Sequence, residues 1–221
     1  MKNKFIYLII GMILLLSSIS FSETWTDITY TNSSMLYYIP DNSTSTKVYD
    51  NATGKHPGNL SGTISINKDT TGKYFTCGGG YVAINNASDF NFGYNNFTIS
   101  FWMNKTTGDT NGIFALGSTG SGVVDFLVFT NNQEIDWFIG NAPLDAWDVG
   151  LTSNGNAINT WHFVVLTKIG SIYIMYVDGI NSWNGSKTTS INTISSASLC
   201  AGANSGFIGN IENFVIFYIF S

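Results

Sequence analysis

Hydrophobic positions along this chain recur at spacing two in short runs, and polar turn residues separate the runs. The clearest case is Trp161 to Gly179, W-H-F-V-V-L-T-K-I-G-S-I-Y-I-M-Y-V-D-G. Ile172, Ile174 and Tyr176 alternate there with Tyr173, Met175 and Val177, the period of a strand and not of a helix. A turn at Lys168 to Ser171 and an Asp178-Gly179 signal make the stretch a strand pair leading into another hairpin, placed near the middle of a large antiparallel sheet. The same reading predicts strands at 35–40, 62–66, 73–77, 81–84, 97–103, 112–116, 123–130, 134–139, 147–152, 160–168, 171–177, 198–201 and 207–218. Residues 43–61 are expected to be loop, and no stretch carries a convincing helical stripe. Short strands between Gly- and Asn-rich turns predict an all-β sandwich or barrel.

The N-terminal segment falls outside that pattern. Lys2 and Lys4 precede an apolar run from Phe5 to Leu16, and Ser20-Phe21-Ser22 offers small residues for cleavage. A secretory signal peptide over 1–22 is expected, then a polar lead-in at 23–34 and one domain over 35–221. An uncleaved N-terminal anchor is the alternative. No later run is long enough to span a membrane as a helix, so the mature chain is expected to be secreted or held at the cell surface.

Composition narrows the partners. Charged residues are 10% of the chain and aromatics 15%, which gives folding ample apolar surface to bury. The net charge of −5, with no basic cluster, argues against nucleic acid. Cys77 and Cys200 form an even pair, read either as a disulfide or as two buried thiols. A bridge would close a loop of more than 100 residues, which chain entropy values at about 4–5 kcal/mol at most. Eight Asn-x-Ser/Thr sequons occur, of which Asn42, Asn51 and Asn59 sit in loop-like sequence. Two cysteines and two histidines are too few, and too badly spaced, for a structural zinc site.

Taken in order, several segments resemble the laminin-G-like jelly roll of the concanavalin A-like lectin/glucanase superfamily. They are L-Y-Y-I-P-D (36–41), V-Y-D-N-A-T-G (48–54), P-G-N-L-S-G (57–62), F-T-C-G-G-G-Y-V-A-I (75–84) and F-T-I-S-F-W (97–102). T-W-H-F-V-V-L-T (160–167), I-Y-I-M-Y-V-D-G (172–179) and G-F-I-G-N-I-E-N-F-V-I-F (206–217) complete the series. The resemblance covers about 35–221 and implies a two-sheet antiparallel sandwich. It also implies that Cys77 and Cys200, where the family has other residues, lie on strands brought together near the sheet edge, which favours the disulfide.

Candidate chemistry is sparse. Glycosidases of that superfamily use Glu-x-Asp-x-Glu on one strand, and Glu134-Ile135-Asp136-Trp137-Phe138 has phenylalanine where the third carboxylate belongs. No enzyme is expected. His56 and His162 lack any nucleophile signature and read as structural. Gly78-Gly79-Gly80 has no following helix or Lys-Ser/Thr, so it reads as a tight strand connection. Many family members bind calcium through loop oxygens, which makes Asp50 with Asn51, and Asp145 with Asp148, the candidate ligands; ordinary Asx turns are the alternative. Glycan recognition needs an exposed aromatic face beside polar groups. Trp147, flanked by Asp145 and Asp148, and Trp183 in a polar run are the candidates, with Trp102 and Trp161 assigned to the core. The expected role is a non-catalytic module binding carbohydrate or glycoprotein; the alternative is a structural or adhesive protein contacting other surface proteins.

Overall fold

Strict alternation of apolar and polar side chains builds nearly every element of the domain. In the computed structural model, the described residues are 34–219 apart from 39, 41–42, 71, 109–110, 119–122, 133, 140–148, 153–156, 187–190, 192–193 and 202–205. The chain divides into Met1–Thr31 and Asn32–Ser221. Every described residue belongs to the second unit, so the expected signal peptide lies outside them.

The strands are β1 (Ser34–Tyr38), β2 (Lys47–Val48), β3 (Gly58–Ser61), β4 (Ile64–Lys68), β5 (Lys73–Gly78), β6 (Tyr81–Ile84), β7 (Asn96–Lys105) and β8 (Asn111–Ser118). They continue with β9 (Val123–Asn131), β10 (Glu134–Ile139), β11 (Val149–Thr152), β12 (Trp161–Ile169), β13 (Ile172–Val177), β14 (Ile180–Ser186), β15 (Ala197–Leu199) and β16 (Ile208–Ile219). A 3₁₀ turn, Ala87–Phe90, joins β6 to β7. The front sheet runs β14-β13-β12-β7-β16-β5-β4, with β1 also paired to β16. The back sheet runs β11-β10-β9-β8-β15-β6-β3-β2. All these pairings are antiparallel. This is the all-β jelly-roll sandwich expected from the strand pattern.

The core lies between the sheets. Phe97, Ile99, Phe101 and Met103 of β7 are buried from the front, and Phe126, Val128, Ile135, Trp137 and Ile139 from the back. Trp137 of the back sheet contacts Phe97 and Tyr173 of the front, at centroid distances of 6.2 and 5.6 Å. Burying each such side chain stabilises the fold by about 1.5–3 kcal/mol.

Cys77 and Cys200 are bonded. Cys77 sits on β5 of the front sheet, and Cys200 follows β15 in the interior of the back sheet. The bond therefore ties the two layers together, from the strand beside the front sheet's edge strand β4 to the interior of the back sheet, where the resemblance implied a place near the edge. Gly80 is held between β3 and β4, where an added Cβ would come within 2.5 Å of the Ser61 carbonyl oxygen. That close approach accounts for part of the triple-glycine connection.

Other differences have physical causes. The strand expected at 62–66 begins only at Ile64 and runs to Lys68, because Gly62 (φ 71°) turns the chain between β3 and β4. β2 and β3 fall in the expected loop 43–61, and β14 is a further strand outside the expected set; these short or polar segments are held by pairing with neighbours. The β12–β13 hairpin is the second and third strands from an edge, because β14 pairs beyond it.

Candidate functional site

Pairing register decides which side chains reach solvent. On β7 the buried set Phe97, Ile99, Phe101 and Met103 leaves Thr98, Ser100, Trp102 and Asn104 facing outward. Their register partners on β12 are Thr167, Val165, Phe163 and Trp161. On β16 the partners are Phe217, Val215, Glu212 and Asn210. Tyr74 and Thr76 continue the row on β5, and Asn67 and Ser65 on β4.

Aromatic rings cluster on this outer front face. Trp102 is 38% exposed, and its ring lies 5.1 Å from that of Phe163. Tyr74 meets Trp161 edge-on at 5.8 Å. Their strands are separated by β7 and β16, three inter-strand steps or about 14 Å on a flat sheet. Rings meeting over that span require a concave face. Trp102 and Trp161, expected in the core, line this hollow instead.

Polar groups sit beside the rings. Asn67 Nδ2 donates to Thr76 Oγ1 (2.7 Å) and to Ser65 Oγ (3.0 Å), and Thr76 Oγ1 donates to Asn210 Oδ1 (2.9 Å). Asn210 is the register partner of Asn104, whose Oδ1 is buried without a hydrogen-bond partner. Glu212 is the register partner of Trp102. A β-bulge follows it, with Asn213 at φ 50° and its Nδ2 3.4 Å from Glu212 Oε1. Bulges of this kind re-aim neighbouring side chains. The face thus carries flat rings, a buried amide oxygen without a partner and one carboxylate.

The residues expected to bind ligand fare differently. Asp145, Trp147 and Asp148 lie outside the described residues. The strand that follows them, β11, lies against β14, which carries Trp183. Trp183 is not the open ring expected: it pairs with buried Met175, is half-buried and packs against the core. Gly185 makes room for it, since a Cβ there would sit 1.9 Å from the indole.

The candidate metal loop is locked by its own hydrogen bonds. Asp50 Oδ1 accepts from the Ala52 amide (2.9 Å), and Oδ2 accepts from Thr53 Oγ1 (2.6 Å). His56 is buried with Nδ1 3.3 Å from Asp50 Oδ2 and Nε2 3.2 Å from Asp89 Oδ2. Asn51 Nδ2 turns away to the Tyr49 carbonyl (3.4 Å). No group of three or more His, Cys, Asp or Glu that could hold a metal occurs among the described residues. Burial, and then the Asp50 charge, push the Tyr38 hydroxyl far above the usual tyrosine range. His162 is likewise held, with Nδ1 2.7 Å from Asp178 Oδ2 and Nε2 3.2 Å from the Ala157 carbonyl oxygen.

Glu134, Asp136 and Phe138 share the outer face of the back sheet, on the opposite layer from the aromatic hollow. Asp136 is buried there, 4% exposed.

A laminin-G family model, described as concanavalin A-like lectin/glucanases superfamily, matches residues 76–219. The chain belongs to this superfamily. Among solved structures this superfamily member is similar to the receptor-binding domain of botulinum neurotoxin C/D mosaic serotype (18% identity, TM-score 0.64, covering 84% of this chain and 48% of that one). It is also similar to domain 4 of AbnA, an extracellular arabinanase from Geobacillus stearothermophilus, solved with arabinotriose (14%, TM-score 0.63, 84% and 92%). The chain spans about half the length of the neurotoxin domains it matches. No curated protein matches the sequence.

Proposed function

We propose that this superfamily member is a non-catalytic glycan-binding module, secreted or displayed on the cell surface, with its ligand on the concave outer face of the front sheet. The observation that carries this reading is the ring cluster of Trp102, Phe163, Trp161 and Tyr74 beside the unpartnered Asn104 carbonyl. Sugar rings present apolar C–H patches that stack on aromatic faces, and their hydroxyls satisfy orphaned amides. Arabinotriose, a neutral oligosaccharide, in the arabinanase domain structure supports a glycan ligand for this fold. Glu212 is the single carboxylate borne by the described front-sheet strands. Two-carboxylate hydrolysis has no second group on this face. Secretion is supported by the Cys77–Cys200 bond, which persists in oxidising compartments.

A glycan array followed by calorimetry tests the reading. Saturable binding is expected, weakened about tenfold or more by Trp102→Ala and by Asn104→Leu. Trp147→Ala and Trp183→Ala test the other edge in the same assay. Loss in those two with Trp102→Ala unaffected would move the ligand to the β11–β14 edge. Calcium at Asp50 and Asn51 is tested by adding a chelator; the saturated Asp50 carboxylate predicts unchanged affinity, and a chelator-sensitive affinity would assign the ion a role.

A further inference from the structure

The charge of the hollow decides which glycans it accepts. Resting on the glycan-binding reading, we propose that the front face selects uncharged oligosaccharides and rejects anionic ones such as sialylated or uronate glycans. Recognition of a sugar carboxylate favours a cation, best an arginine fork. The chain contains no arginine; its nine basic residues are all lysines.

None of the lysines on the described front-sheet strands belongs to the outer row. Lys105 and Lys168 are buried, 3% and 2% exposed. The Lys105 ammonium donates to the Asn132 carbonyl, and that of Lys168 to the Tyr94 and Asn95 carbonyls. Lys68 and Lys73 pair at the end of the β4–β5 hairpin, one position beyond the outward Asn67–Tyr74 pair and therefore on the opposite face. Lys47 and Lys55 belong to β2 of the back sheet and to the loop after it.

The outer row also carries two acceptors, one of them charged. Asn104 Oδ1 lacks a donor, and Glu212 is a carboxylate at the register position opposite Trp102. A sugar hydroxyl donates to such groups. An ionised sugar carboxylate only accepts, so it gains no bond from these oxygens and meets a like charge on the same face.

The test is an array carrying neutral glycans beside their sialylated or uronate counterparts, with calorimetry on the tightest pair for wild type, Glu212→Gln and Trp102→Ala. The neutral member is expected to bind about tenfold or more tightly than its anionic counterpart. Glu212→Gln is expected to narrow the gap to within about threefold by removing the like charge. An anionic member that binds as tightly or tighter, and is lost in Trp102→Ala, overturns the selectivity while the glycan-binding reading stands. No saturable binding anywhere on the array overturns both.

Discussion

Two buried polar side chains illustrate how this protein spends its hydrogen bonds. The Tyr38 hydroxyl, fully buried, donates to the His56 carbonyl at 2.5 Å and helps to hold the loop that Asp50 organises. Asn104 Oδ1, buried on the outer side of β7, has no donor. The first arrangement serves stability, whereas the second is an uncompensated cost of about 1–3 kcal/mol that a ligand hydroxyl would relieve. Tyr38 also makes a pH prediction. Burial and the Asp50 charge raise its folded pKa above the unfolded value, which is about 10. Its contribution is therefore complete below pH of about 10 and lost progressively above it, as the unfolded chain ionises first. Urea unfolding of Tyr38→Phe should show a loss of about 1–2 kcal/mol at pH 7, shrinking as the pH rises past about 10. A difference constant to pH of about 11 would place the hydroxyl in an ordinary environment.

Strands β6 and β10 could be read from sequence to the residue, because alternation and flanking turns agree there. The disulfide was legible too, from an even pair of cysteines, though its place between the sheets was not. β14 was hidden by its Asn, Ser and Gly content, and only its pairing with β13 reveals it. The functional face was half visible. Phe97, Ile99, Phe101 and Met103 set the inward parity of β7, so Trp102 had to point out, and that signal was in the chain all along. On β12 both parities are apolar, so Trp161 and Phe163 needed the register with β7 to be placed. The Tyr74–Trp161 contact was invisible, since β5 and β12 meet only through sheet curvature. The bond from β5 to the end of β15 makes its own prediction. Cys77→Ala with Cys200→Ala should unfold about 2–5 kcal/mol more easily in denaturant, and an unchanged midpoint would show the layers need no tie.

Across the molecule, one side of the sandwich is finished and the other is left chemically open. The back sheet turns Glu134, Asp136 and a stacked Phe129–Phe138 pair outward, with Asp136 already buried. The front sheet curves into a hollow whose rings and amide serve no purpose in packing the core. A crystal of the protein with a neutral oligosaccharide drawn from the array would decide between these faces. Sugar rings should stack on Trp102 and its neighbours, with a hydroxyl donating to Asn104 Oδ1 at about 2.7–2.9 Å. An oligosaccharide seated on the back sheet or at the β11–β14 edge, with the front hollow filled only by solvent, would contradict the account.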